Sequence, residues 1–138
     1  MNPRVEVSSR WGPVEVDKEM VDTCTMICKE GYCITDGRIH DKVCIQFESD
    51  DFQKLVKHAY RTRNKDHDTA QALGEDTDGL WHFLIRCQTA VSWHDDGLPD
   101  DDRWIHGNKI YFEIYLSFDA KLHSEFKKLF KRSHSKMR

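Results

Sequence analysis

The sequence predicts one α+β domain, residues 1–138, with a mainly antiparallel sheet and two to three helices. Its length of 138 residues suits a single core of ordinary size. Stretches in which apolar and polar residues alternate, as in strands, are interspersed with stretches of helical period. Charged residues make up 33% of the chain, but 11% of it is aromatic, so enough large side chains are present to build a packed interior.

The first helix is expected between Asp17 and Gly31. Its apolar face, at helical spacing, consists of Met20, Val21, Cys24, Ile27 and Cys28. Asp17 is the candidate N-cap and Gly31 the candidate C-terminal stop. The β-branched residues Thr23 and Thr25 favour extended structure, which leaves a strand as the alternative here.

Two strands are expected around a tight turn after this helix. Residues 32–35 and 38–40 flank Asp36-Gly37, a dipeptide that readily supplies the positive φ angles of a two-residue hairpin loop. A further strand is expected over residues 43–47, where apolar residues alternate again.

The clearest helix is expected from Ser49, which can cap it, with Asp50 and Asp51 at its positive end. Its apolar stripe consists of Phe52, Leu55, Val56, Ala59 and Tyr60. The residues that follow, 64–78, have no clear apolar period and are expected to form a polar connection.

Two long strands and a last helix complete the prediction. Alternation predicts strands over residues 80–93 and 109–118, which we expect to pair as an antiparallel hairpin. On this arrangement Trp93 is at least partly buried, whereas no pattern directs Trp104 to the core. The last helix carries the apolar stripe Leu122, Phe126, Leu129 and Phe130 and ends in a basic tail, 131–138, with the potential to be flexible.

The segment 94–103 is the most unusual feature of the sequence. It holds five aspartates, which repel one another unless water, a cation or a basic partner screens them. A solvated loop is the plainer interpretation. A protein-binding loop is the functional one, because tryptophan and arginine dominate interface energies. The candidate partner-binding residues are Trp93, Asp95, Asp96, Asp100, Asp101, Asp102, Arg103 and Trp104.

Basic residues on two predicted helices suggest nucleic-acid binding as an alternative. They lie on the helix over residues 52–63 and near the carboxyl terminus, and consist of Lys54, Lys57, Arg61, Lys127, Lys128, Lys131 and Arg132. Together they could neutralise phosphates. A solvated helix face is the plainer explanation, since no nucleic-acid-binding motif accompanies them.

Cysteine and histidine side chains are the candidate metal ligands and catalytic groups of the sequence. The five cysteines lack the Cys-x-x-Cys spacing of zinc sites, and no metal site or cofactor is predicted. A third hypothesis is a hydrolase in which His94, His106 and acids of the 95–102 segment hold a divalent cation. No catalytic residue is otherwise identified, because none of the common enzymatic motifs occurs.

The function expected from these patterns is that of a small cytoplasmic protein-interaction module. Proteins that inhibit by occupying a partner, such as immunity or viral and plasmid counter-defence proteins, have this character. The amino terminus lacks the apolar stretch of a signal peptide, and no membrane partner is expected. Residues 75–102 hold eight acids and one arginine, a net charge of −7, which favours a partner with a basic surface. Residues 119–138 carry seven basic residues and two acids, a net of +5, so self-association is also compatible with the sequence.

Overall fold

The computed structural model describes residues 2–62, 79–84, 88–93 and 110–136. The strands are β1 (Arg4–Ser9), β2 (Gly12–Asp17), β3 (Ile34–Ile39), β4 (Lys42–Phe47), β5 (Gln88–Trp93) and β6 (Ile110–Asp119). The helices are α1 (Val21–Lys29), α2 (Ser49–Thr62), α3 (Leu80–Leu84) and α4 (His123–Lys136), and short 3-10 turns lie at Lys18–Met20 and Ala120–Leu122. The predicted single-domain α+β class is confirmed.

The strands form one sheet in the order β1-β2-β3-β4-β6-β5. Every neighbouring pair is antiparallel except β2 and β3, which run parallel and share a single register pair, Val16 with Gly37. The order leaves β1 and β5 at the two edges of the sheet.

One face of the sheet carries the core. The residues aligned across it are apolar or small: Val16 lies beside Gly37, Gly37 beside Ile45, and Ile45 beside Leu116. The helices pack on this face, where Phe118 of β6 meets Phe126 of α4 at 5.0 Å between ring centroids. The other face carries mainly polar side chains, as expected of an antiparallel sheet covered on one side.

The predicted turn at Asp36-Gly37 is wrong, because both residues lie inside β3. The chain reverses later, at His40 and Asp41. A bulge between Ile34 and Asp36 shifts the alternation by one residue, so that Ile34 and Gly37 face the helices together. Glycine is needed there for close approach: a Cβ on Gly37 would lie 2.6 Å from the sulfur of Cys24 in α1.

The first helix is confirmed, but Asp17 does not cap it with its side chain. The Asp17 carboxylate accepts hydrogen bonds from the Ile39 backbone N–H at 2.8 Å and from the Arg4 guanidinium at 2.8 Å. The same guanidinium reaches Asp36 at 2.7 Å. Asp17 therefore fastens β1 and β2 to β3. Gly31 has a φ of +90°, the left-handed backbone in which helices commonly end.

The predicted strand over 80–93 is wrong in its first half. Leu80–Leu84 form the helix α3, and among the described residues of this segment the strand is Gln88–Trp93. The apolar residues of this segment fit both periods, and packing decides between them. Phe83 is fully buried with its ring 5.0 Å from that of Phe118 and 5.3 Å from that of Phe126, which fixes the helix against the core.

The remaining predicted elements match the structure. The helix from Ser49 buries Leu55 and Ala59, and the strand that begins near residue 109 is β6. β5 and β6 pair as an antiparallel hairpin, as expected. The last helix buries Phe126 and Phe130 and extends to Lys136, so much of the predicted basic tail is helical. The predicted connection 64–78 lies outside the described residues.

Replacing Gly37 with alanine tests the close approach of α1. We expect Gly37→Ala to lower the free energy of unfolding by about 1–3 kcal/mol, the usual cost of overpacking a core. Removing the sulfur with Cys24→Ala should recover part of that cost in the double variant, because the two substitutions share one contact. Urea titrations of the four proteins measure the coupling. Strictly additive effects would contradict the contact.

Candidate functional site

The β5–β6 hairpin extends beyond the end of β4. β4 pairs with β6 only from Ile114 to Asp119, whereas β5 pairs with β6 up to Trp93 and Ile110. Among the described residues, 110–113 therefore have a partner strand on the β5 side only. At ~3.3 Å per residue this two-stranded ribbon projects by about 13 Å past the end of β4.

The acidic segment begins where this ribbon ends. Because Trp93 is paired with Ile110, the sixteen residues 94–109 connect two adjacent strands. Hairpin connections usually have two to five residues, and longer ones are frequently functional. The backbone of Trp93 belongs to β5, and its side chain lies outside the described part. The other predicted partner-binding residues also lie outside it: Asp95, Asp96, Asp100, Asp101, Asp102, Arg103 and Trp104.

An exposed tryptophan lies at the same end of the sheet. Arg10 and Trp11 form the turn between β1 and β2, and the side chain of Trp11 is 76% exposed. β2 is parallel to β3, β3 antiparallel to β4, and β4 antiparallel to β6, so β2 and β6 run in the same direction. The turn that precedes β2 and the acidic connection that precedes β6 therefore leave the sheet at one end.

Trp11 is held in position by its neighbour. The Arg10 guanidinium lies 5.3 Å from the centroid of the Trp11 ring and bonds to the Asp51 carboxylate at 2.9 Å. Asp51 also accepts the Cys33 backbone N–H at 2.7 Å, which fixes the carboxylate at the start of α2. Trp11 was not among the predicted partner-binding residues. The sequence signal that could have identified it is the pair Trp11-Gly12. The glycine indicates a turn, in which it adopts a φ of +124°, and the tryptophan does not fit the apolar–polar alternation of the strands on either side.

The predicted basic residues of α2 do not form one open surface. The ammonium group of Lys54 donates to the Glu30 carbonyl oxygen at 2.7 Å and lies 4.6 Å from the centre of the Tyr32 ring. Lys57 is exposed, and the side chain of Arg61 lies outside the described part. Lys54 thus stabilises the end of α1, where a helix favours a cation.

Three basic residues of α4 face outwards. Lys128, Lys131 and Arg132 are exposed. Lys127 and Lys131 line a groove of about 510 Å³ between α4 and α1, where Lys29 joins them. Asp22 and Glu30 line the same groove, so its charge is mixed.

A buried histidine, His134, connects α4 with α2 and with Tyr32, which lies between α1 and β3. The Nδ1 atom of His134 lies 2.9 Å from the Phe130 carbonyl oxygen, to which it donates, and so its Nε2 atom accepts the Tyr32 hydroxyl at 2.7 Å. The His134 ring stacks on that of His58 at 4.1 Å and on that of Phe130 at 4.0 Å. This arrangement suits a neutral imidazole and is structural in character.

Burial lowers the pKa of His134 below its ordinary value of 6.5, and the nearby Lys54 ammonium lowers it further. Burial and the Lys127 charge also lower the pKa of His123, which shares a hydrogen bond with Thr23. Both histidines are therefore held neutral by the packing of α4.

Three of the described cysteines, Cys24, Cys28 and Cys44, are poor nucleophiles. Cys24, Cys28, Cys33 and Cys44 are free thiols. Burial raises the pKa of Cys24 to about 12 and raises those of Cys28 and Cys44 as well. Reactive cysteines need the opposite shift, because the thiolate is the nucleophile.

Metal binding through His94, His106 and the acids of 95–102 falls outside the described residues. Within 2–62, 79–84, 88–93 and 110–136, no group of three or more histidines, cysteines, aspartates or glutamates is arranged to hold a metal ion. The same part of the chain contains no helix that is both long and apolar enough to span a membrane.

The chain was compared with protein families, curated proteins and solved structures, and none of them matches it. The extended β5–β6 hairpin, whose connection holds the acidic segment, and the exposed Trp11 are thus the features that bear most directly on function.

The histidine of α4 predicts a pH-dependent stability. Above about pH 6.5 His134 is neutral whether the chain is folded or unfolded. As the pH falls from this value towards the lower pKa of the folded state, the unfolded chain takes up the proton more readily than the folded one. The free energy of unfolding therefore decreases over this interval. We expect thermal melts to show a lower melting temperature at pH 5.5 than at pH 7.5, with a smaller difference for His134→Gln.

His40→Gln is the matched control, because His40 is exposed. It should retain the pH dependence of the unaltered protein. Parallel melting curves for His134→Gln and the unaltered protein across this pH range would contradict a buried neutral imidazole. Part of the dependence should survive in His134→Gln, since the lowered pKa of His123 acts in the same direction.

Proposed function

We propose that the protein is a small binding module that occupies a partner protein through the acidic segment 94–103 and its flanking residues Trp93 and Trp104. The observation that carries the proposal is the pairing of β5 with β6 beyond the end of β4. The connection 94–109, which contains the acidic segment, thus starts and finishes on two paired strands that extend past the end of β4. A projecting element can enter a cleft on a partner that a flat surface cannot reach.

The partner is a protein with a basic surface. Five aspartates within eight positions repel one another, and cationic side chains of a partner would relieve this repulsion. Complementary charge increases the rate of association and selects the partner, while aromatic anchors supply much of the affinity. Trp11 leaves the sheet at the same end and is a third candidate anchor. An inhibitor that blocks a basic active-site cleft is the form of this function that the charge favours.

Neutralising the acidic segment tests the proposal. The protein is immobilised, and the basic partner that it captures is identified by mass spectrometry. Replacing Asp95, Asp96, Asp100, Asp101 and Asp102 by Asn should abolish this capture. The loss should be larger at 50 mM than at 300 mM salt, because screening already weakens exposed charge pairs at the higher concentration.

A control of equal charge separates this effect from net charge. The exposed acids of the described part offer five substitutions to the corresponding amides, at Glu19, Asp22, Asp41, Glu48 and Asp50. This control should bind the same partner as the unaltered protein. If both variants lose the partner equally, net charge and not the acidic segment determines binding. If neither loses it, the segment has no part in the interaction.

Nucleic-acid binding is the second candidate, favoured by the outward basic face of α4. Lys128, Lys131 and Arg132 are exposed on one helix, and Lys127 joins Lys131 beside Lys29. Lys54 is engaged with Glu30 and Tyr32 and is not expected to contribute.

Electrophoretic mobility shifts with duplex DNA and single-stranded RNA test this candidate. Replacing Lys127, Lys128, Lys131 and Arg132 by Ala should weaken duplex binding and reduce the slope of log affinity against log salt by about 0.9 per lost phosphate contact. Lys54→Ala should leave the slope unchanged. Absence of any shift at micromolar protein and low salt would exclude this function for α4.

A further inference from the structure

The outer edge of β1 lies beside a groove. Within the described residues no strand lies beyond β1 in the sheet. Helix α1 runs next to this edge, and the two elements enclose a groove of about 400 Å³. The groove is lined by small apolar and hydroxyl-bearing side chains and by two charged residues, Glu6 of β1 and Lys29 of α1. The lining residues are Glu6, Val7, Ser8, Val21, Thr25, Cys28 and Lys29.

The register of β1 shows which backbone groups point outwards. Ser8 is opposite Pro13, which has no N–H to donate. Ser8 and Pro13 are therefore a non-hydrogen-bonded pair of the antiparallel ladder. Such pairs alternate with hydrogen-bonded ones along an antiparallel ladder. Glu6 therefore belongs with Ser8, and the N–H and C=O groups of these two residues point away from β2, towards the open edge. Those of Val5 and Val7 point towards β2.

Two features of the edge are unfavourable in the isolated protein. Glu6 and Glu15 are directly opposite each other and both exposed, and like charges in this position destabilise a strand pair. The guanidinium of Arg4 is used elsewhere, on the Asp17 and Asp36 carboxylates and on the Glu15 carbonyl oxygen. Val5 is 38% exposed, one of three large apolar residues exposed in the described part.

We propose that the edge of β1 is a second binding site, which takes an extended peptide of alternating basic and small apolar residues as an added strand. Side chains of such a strand point alternately to the two faces of the sheet. The apolar ones enter the groove between β1 and α1 and cover Val5. The basic ones lie on the open face beside Glu6 and Glu15. Backbone bonds to Glu6 and Ser8 supply affinity, as in other cases of strand addition.

This site is distinct from the acidic segment and from the β5–β6 hairpin that flanks it. β1 and β5 are the opposite edges of the sheet, so the two sites can be altered separately. A peptide bound at β1 therefore leaves the acidic segment available. The proposal does not depend on the function of the acidic segment.

A labelled hexapeptide, Lys-Val-Lys-Val-Lys-Val, acetylated and amidated at its ends, is the probe. Fluorescence anisotropy with the full chain should show saturable binding, weakened by about tenfold in Glu6→Lys/Glu15→Lys, because attractive pairs become repulsive ones. Asp41→Lys/Glu48→Lys changes the net charge equally at exposed positions away from the β1 edge and should bind normally. Equal weakening in both variants would overturn the proposal.

The backbone of the peptide distinguishes strand addition from charge attraction. Amides along a strand point alternately to its two sides, and only one side meets β1. Methylating the nitrogens of one alternate set should abolish binding, whereas methylating the other set should preserve most of it. Equal affinities of the two methylated peptides would overturn the proposal, since general attraction by the acidic segment would not depend on the side that is methylated.

Residue-resolved hydrogen exchange gives a readout on the protein itself. In the free protein the amides of Glu6 and Ser8 should exchange rapidly and those of Val5 and Val7 slowly. The peptide should protect Glu6 and Ser8. Protection of these amides without peptide would overturn the proposal. If that protection increases with protein concentration, a second copy of the chain covers the edge; otherwise another part of the same chain does.

Discussion

The buried carboxylate of Asp17 is the interaction on which the arrangement of the sheet depends. β2 and β3 share one register pair, so few backbone hydrogen bonds attach the β1–β2 hairpin to the other strands. Asp17 compensates by accepting the Ile39 N–H and the Arg4 guanidinium. Burial raises its pKa, but these hydrogen bonds outweigh burial and hold the pKa below its ordinary value. The group is therefore ionised at neutral pH, where its bonds are strongest.

The parallel direction of this junction determines where the exposed features lie. Because β2 runs with β3, the Arg10-Trp11 turn comes out at the end of the sheet from which the β5–β6 ribbon projects. An antiparallel junction would have put that turn at the opposite end. The same junction leaves β1 at the edge, with α1 beside it. The close contact of Cys24 with Gly37 keeps α1 near the junction, so the groove and the edge are fixed by one set of contacts.

Local periodicity predicted those elements whose pattern is long and of one kind, namely α2, β6 and α4. It failed where a distant contact decides the conformation. Asp36-Gly37 has the composition of a turn, but the glycine is required by the sulfur of Cys24, and the bulge before it hides the alternation of β3. Leu80–Leu84 fits either period, and the rings of Phe118 and Phe126 select the helix. Neither contact leaves a trace in the neighbouring sequence.

The sequence predicts which residues make up the candidate site, but not where in the fold the site lies. The run of aspartates is visible in the sequence, whereas the extension of the strands that flank it depends on β4 ending four residues before β5 on their common partner strand, β6. Lysines of similar appearance also differ in use, since Lys54 binds Glu30 within the protein and Lys128 faces solvent. The helices cover one face of the sheet, so the basic surface of α4 lies on the side opposite Glu6 and Glu15. A basic ligand on the open face is thereby kept away from the α4 lysines, which would otherwise repel it.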